Sequence, residues 1–246
     1  MLILVMRPST QYLNAPEVQR IQRMGVLRVG VRTNVPGFAE NGAGYEIEIA
    51  RATARRIFPD VDTDVSLELV PVTQSSALAK LVSGAIDLTF SRQWNTDNEA
   101  YMYSGSYFKE GIYLLCRPGY ESVALADQEI GFIDGSAELR ALNIYNTDYK
   151  TALTSRTYAS YPDMALALKK NEVPYIAVPG RQAQTLLDWD ITVADTRLGA
   201  VDYVAVSLAE YSALALLADL VIQEMQNEGK LDQWAIQYGI SAYKVS

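Results

Sequence analysis

Apolar and polar positions recur along this chain with two periods, near 3.6 and near 2, and the switches between them mark its elements. From residue 15 to 24, Val18, Ile21 and Met24 fall at helical spacing, with Pro16 near the start and Gly25 at the stop. Residues 26–32 read as a strand, and Thr33-Asn-Val-Pro-Gly37 opens a loop that runs through Gly44. A helix begins at Tyr45: Ile47, Ala50, Ala54 and Ile57 form its apolar stripe, leaving Glu46, Glu48, Arg51 and Arg55 for solvent, and Pro59 follows its end. Residues 67–72 form a second strand, 76–83 a short helix before Gly84, and 86–90 a third strand. Strand and helix in alternation predict a parallel α/β sheet.

An extended run over 106–117 ends this first unit, and after Gly119 the alternation restarts. A strand at 129–133, a helix from about Ser136, and then the stretches 165–170 and 173–178 lay out a second α/β unit. The chain returns through 202–207 to a helix whose Leu214, Leu217, Val221 and Met225 share one face, stopped by Gly229, and a last helix spans 231–238. The expected organisation is a first lobe over 1–110 with a lead-in helix at 15–24, a second lobe over 111–203, and a return of 204–246 to the first.

Composition narrows the chemistry. The chain has 246 residues, of which 49% are hydrophobic, so it can bury a sizeable core. Its 21 basic and 29 acidic residues give a net charge of −8, which repels phosphate backbones, so no nucleic-acid partner is expected. With no histidine and one cysteine, zinc sites built from His and Cys, His-based triads and intrachain disulfides are excluded, and no metal or cofactor is expected. Cys116, inside an apolar stretch, is expected to be a buried small hydrophobe. No apolar run approaches the roughly 20 residues needed to cross a bilayer. The apolar opening Met1-Leu-Ile-Leu-Val-Met6 is shorter than a signal-peptide core and reads as a trimmed leader, an added start or a first strand.

Five strings, in order, resemble those of type II periplasmic solute-binding proteins, specifically the polar amino-acid-binding family (family 3) of ABC importers. They are Gly25-Val-Leu-Arg-Val-Gly-Val-Arg32, Gly44-Tyr-Glu-Ile-Glu-Ile-Ala50, Leu81-Val-Ser-Gly-Ala-Ile-Asp-Leu88, Tyr103-Ser-Gly-Ser-Tyr-Phe108 and Glu228-Gly-Lys-Leu-Asp-Gln-Trp234. The resemblance implies a two-lobed α/β fold, each lobe a mainly parallel sheet flanked by helices. It implies two hinge crossovers, near 106–117 and 197–207, and a small ligand held in the cleft between the lobes. It also implies an extracytoplasmic location, a permease partner and a monomer.

The family's two usual clamps do not carry over. The Arg that holds an α-carboxylate corresponds, counting without gaps from Asp87, to Glu99, and the Asp that holds an α-ammonium corresponds to Pro179. A carboxylate cannot hold a buried carboxylate without a proton or a bridging cation, so an amino acid in the usual pose is not expected. Arg92 and Trp94 stand beside Ser91 where the family often has small hydroxyl residues facing the ligand. Either Arg92 grips an anionic group while Trp94 and Phe38 stack on the ligand, or Arg92 pairs with Asp97 or Glu99. Asn34 and Phe38 lie in the loop after the first strand, where the alternative to ligand stacking is plain packing. In the second lobe Ser136 opens a helix, as an N-cap or a carboxylate site, and Tyr161 and Arg181 come from loops expected to face the ligand.

The expected function is therefore a binding protein that traps a small polar molecule, an amino acid or derivative in a non-standard pose, and carries out no reaction. The alternatives are a sensory or scaffold descendant with a degenerate pocket, and a dehydratase-type enzyme using Glu99 or Asp97 as general acid. No second catalytic partner is visible for the last.

Overall fold

Ten helices and ten strands follow one another along the residues described by the computed structural model, which are 8–122, 124–125, 127–134 and 136–245. The apolar opening up to Met6 lies outside them. Helices α1 (Pro8–Leu13) and α2 (Pro16–Met24) precede β1 (Leu27–Val31), a small hairpin of β2 (Asn34–Val35) and β3 (Ala39–Glu40), and α3 (Tyr45–Ile57). Next come α4 (Thr63–Ser66), β4 (Leu67–Pro71), α5 (Gln74–Val82), β5 (Leu88–Gln93) and the long β6 (Tyr101–Cys116). The middle of the chain holds β7 (Glu129–Ile133), α6 (Ala137–Tyr149), β8 (Thr154–Tyr158), α7 (Tyr161–Lys169), β9 (Tyr175–Pro179), α8 (Gly180–Leu186) and the equally long β10 (Thr192–Leu208). Helices α9 (Ser212–Asn227) and α10 (Lys230–Gln237) come last.

The chain divides into two units. The first takes residues up to Phe108 together with Tyr203–Ser241, and the second takes Lys109–Asp202 together with the chain end from Ala242. The passages between them at Phe108 and at Asp202 fall inside β6 and β10. A difference from the expected organisation lies at the end of the chain, where residues from Ala242 group with the second unit rather than the first. The physical reason is backbone pairing: Val245 N–H donates to Lys109 O at 3.0 Å, and Lys244 bridges to Glu110.

In the first unit β1 pairs in parallel with β4 and β5, and β10 runs antiparallel along the far side of β5. Val72, Ala77, Leu81, Ile86 and Val206 pack α5 onto this sheet. The second unit repeats the plan, with β7 parallel to β8 and β9 and with β6 antiparallel to β9. Leu115, Met164, Leu168, Ile176 and Val178 make its core, under α7. Each core side chain of this kind, fully buried, contributes about 2 kcal/mol of transfer free energy.

Two features of the first unit hold β5 and the start of α3 in place. Asp87, at the foot of β5, has its side chain 2% exposed and accepts from Arg28 N at 3.0 Å, Arg28 Nε at 3.0 Å and Arg20 at 2.9 Å, tying α2, β1 and β5 together. Gly44, at φ 134°, lies so close to the loop before it that a Cβ there would stand 2.4 Å from Phe38 O. That closeness lets Gly37 O and Phe38 O accept from Tyr45 N and Glu46 N at 3.0 and 2.9 Å, so loop carbonyls satisfy the free first-turn donors of α3.

The apolar stripe of α3 is buried as expected, but Glu46 is not on its wet side: it is 0% exposed. Helical periodicity places it outward because it sees only the helix. In the fold, strands β5 and β6 reach over the first turn and enclose it through Arg92 and Tyr107.

Candidate functional site

β5 continues three residues beyond the predicted end at Phe90, and this carries Ser91, Arg92 and Gln93 into the sheet. Ser91 is fully buried, its hydroxyl within 2.9 Å of Thr89 Oγ1 and accepting from Gln93 Nε2 at 3.2 Å. Arg92 breaks the strand geometry at φ 55°, in the left-handed region that non-glycine residues enter at a cost of about 1 kcal/mol or more. Two acceptors hold it there: its N–H donates to Glu46 Oε1 at 2.9 Å and to Tyr107 Oη at 3.2 Å.

The turned backbone lays the half-buried guanidinium on aromatic faces. Arg92 Cζ stands 5.1 Å from the Phe38 ring centroid and 4.8 Å from that of Tyr203, and one terminal nitrogen donates to Tyr203 Oη at 2.6 Å. Phe38 is itself 0% exposed and packs edge-on against Phe108 (5.0 Å, 80°), Tyr203 (6.1 Å, 86°) and Tyr45 (6.2 Å, 71°). The Phe38 ring thus belongs to this aromatic cluster, and the cation it meets is Arg92.

Beneath Arg92 lies the Glu46 carboxyl. Tyr107 donates to Oε1 alongside Arg92 N, while Oε2 is buried with no hydrogen-bond partner. Complete burial pushes the Glu46 pKa up to about 7, against the hydrogen bonds from Tyr107 and Arg92 and the charges of Arg92 and Arg32, which pull it down. Burial and the same carboxylate raise the Tyr107 phenol well above its ordinary value. Glu46, Tyr107 and Tyr203 are not singled out by the sequence. Their meeting joins positions 46, 107 and 203, and no local pattern signals such a contact.

The other expected residues of this unit scatter. Asn34 is exposed on β2, Trp94 follows β5 partly buried, and Glu99 is exposed in the turn closed by Tyr101 N to Asn98 O at 3.1 Å. In the second unit Ser136 stands at the N-cap of α6 as expected, yet its side chain makes no capping bond, and its Oγ is buried with no partner. Tyr161 opens α7 and packs partly buried on the second core. Arg181 donates its backbone N–H to the buried Glu110 at 3.0 Å, and Arg197 lies over the Tyr113 ring at 4.6 Å. Cys116 is 0% exposed and its thiol is pushed up to about 11 by burial, the state of an inert packing residue. Among the described residues, no three His, Cys, Asp or Glu side chains gather as metal ligands would.

Residues 27–240 match the family of bacterial extracellular solute-binding proteins, family 3. The chain belongs to that family. No curated protein matches the sequence. Solved structures share its fold at low identity. An amino-acid ABC transporter substrate-binding protein, AbpA from Streptococcus pneumoniae, bound to L-arginine, is 20% identical with a TM-score of 0.64, over 92% of this chain and 100% of that one. A mutant of ArgBP from T. maritima is 20% identical with a TM-score of 0.63, over 90% and 98%. The ancestral amino-acid-binding protein AncCDT-1, a precursor of cyclohexadienyl dehydratase, is 17% identical with a TM-score of 0.63, over 90% and 98%. For this family 3 chain the likeness gives a two-lobed α/β binding-protein fold. No helix among the described residues is long and apolar enough to cross a membrane.

Proposed function

We propose that this family 3 protein is an extracytoplasmic binding protein that captures a small polar solute carrying an anionic group for an ABC importer, with Arg92 as its main polar grip. The observation that carries the reading is the seating of Arg92, whose guanidinium is fixed over Phe38 and Tyr203 on a backbone turned against its preference. A planar cation held this way is preorganised for a carboxylate or similar anion, which it can attract through charge-assisted hydrogen bonding. Trp94 beside it, and Asn34 in the preceding loop, are proposed as lesser contacts, as are Ser136 and Tyr161 from the second unit. Glu99 is proposed to disfavour a carboxylate on its side, which sets this guest apart from an amino acid in the family's usual pose.

Arginine is the guest of the pneumococcal relative. Here a cation already occupies the grip, so L-arginine is expected to bind less well than L-glutamate or a dicarboxylate. The test is thermal unfolding against a panel of amino acids, their acyl derivatives, dicarboxylates and short peptides. A guest at 100 times its Kd adds about 2.7 kcal/mol of stability, and Arg92→Ala removes that gain. A gain that survives Arg92→Ala overturns the grip.

One observation favours a second reading. The Arg92 guanidinium already has an aromatic bed and the Tyr203 hydroxyl, so the chain's own groups satisfy it in part without a guest. A sensory or scaffold descendant would keep that arrangement and show no stabilisation by any member of the panel. An enzymatic role is the least supported, since Glu99 and Asp97, the two proposed acids, are both solvent-exposed.

A further inference from the structure

The Arg92 turn rests on a buried carboxyl that uses only one of its two oxygens. Glu46 contributes that oxygen to two donors, Arg92 N and Tyr107 Oη, and keeps Oε2 buried and unpartnered within the first unit. A carboxylate in such a place strengthens whatever donates to it, because charge-assisted hydrogen bonds are roughly twice as strong as neutral ones. The recipient of that strength is the N–H of the residue at φ 55°, a conformation that needs outside support.

Several elements bring polar and charged groups to Glu46. Tyr107 comes from β6, Arg92 from β5 and Arg32 from just beyond β1, while Tyr45 precedes it on α3. Tyr203 of β10 stands behind Tyr107, with ring centroids 6.5 Å apart, and acts on that phenol. From α10, Asp232 acts on Tyr45, and Tyr238, just past its end, donates to Glu48 at 2.8 Å; from α9, Glu224 is paired with Arg56. Glu46 is thus the buried acid of the cluster, and its bonding partners converge on Arg92.

We propose that Glu46 is the positioning residue of the Arg92 grip: as a carboxylate, with Tyr107, it fastens the left-handed turn that seats the guanidinium, and on taking up a proton it loosens that turn. The buried carboxyl's elevated pKa, about 7, puts this change near neutrality. The inference rests on the reading of Arg92 as the grip, but the fastening itself can be tested without any guest.

The experiment uses the full chain labelled with 15N-arginine, with no ligand added. The Arg92 amide peak is identified as the one absent from Arg92→Lys. The expected result is a shift of the Arg92 amide with a single midpoint near pH 7, absent in Glu46→Gln and moved to higher pH in Tyr107→Phe, which removes a donor to the carboxylate. A second readout is covalent modification of Arg92 by phenylglyoxal at pH 8, measured by peptide mass. Glu46→Gln, which keeps the oxygen acceptor but not the charge, is expected to react several-fold faster than the parent chain. An Arg92 amide that stays flat across neutral pH, or a phenylglyoxal rate unchanged in Glu46→Gln, overturns the proposal. Loss of the Arg92 grip as a binding function would show in the panel instead, through affinity retained by Arg92→Ala, and leaves these two readouts unaffected.

Discussion

At the scale of single residues, Glu46 has a thermodynamic signature that falls within the neutral range. Its folded pKa of about 7 lies above its ordinary value of 4.5, so between those limits the folded chain holds a proton that the unfolded chain has released. Stability from this group is therefore complete below about pH 4.5, falls as pH rises towards 7, and is constant beyond. The span corresponds to about 3 kcal/mol at 1.36 kcal/mol per unit. Glu46→Gln has no proton to lose. The difference in unfolding free energy between it and the parent chain should swing by about that amount in favour of the variant from pH 5 to pH 8. Denaturant titrations at the two pH values measure it, and a constant difference would place the carboxyl in contact with water. The tyrosine beneath Arg92 makes a matching prediction. Tyr107→Phe leaves a buried carboxylate with one donor fewer and is expected to cost about 1–3 kcal/mol at pH 8, and less at pH 5.

At the scale of elements, the join between the β2–β3 hairpin and α3 depends on Gly44. An added methyl group meets the carbonyl of Phe38 at 2.4 Å and requires a backbone angle that L-residues avoid. Gly44→Ala is expected to lose roughly 2 kcal/mol or more, read as a lower denaturation midpoint, and to disturb Phe38 and Glu46 together. At the foot of β5, Asp87→Asn leaves Arg28 and Arg20 without their shared counter-charge and is expected to cost about 3 kcal/mol.

The elements themselves are largely legible in the sequence. Where apolar residues recur with a clear period, as in α3 and α9, the pattern locates the helix to within a few residues, because one face must meet the core. β8 is not visible: its residues Thr154–Tyr158 are mostly exposed and lack an apolar alternation, being ordered by their parallel register with β7. The start of β6 at Tyr101 is likewise earlier than the pattern suggests, since its first residues are half-buried and carry no strong alternation. The site is legible only in part. Arg92 stands out through its chemistry, whereas its bed of Phe38, Tyr203, Tyr107 and Glu46 is assembled by tertiary contact. Glu46 even points the wrong way, because periodicity scores a side chain against its own helix and is blind to the strands that cover it.

For the molecule as a whole, the net charge of −8 predicts passage through a heparin column at low salt, and retention would reveal a basic face that composition hides. Its composition has one more consequence. Carboxylic acids ordinarily release their protons near pH 4, and phenols and amines near 10; imidazole fills the interval, and this chain has none. The lone thiol has moved out of that interval as well. Apart from the terminal amine, the neutral range is therefore left with Glu46 among the described side chains shown to have been displaced into it. Calorimetry of ligand capture in buffers of different ionisation heat would count the protons exchanged, and a fractional count that vanishes in Glu46→Gln could be assigned to one atom pair.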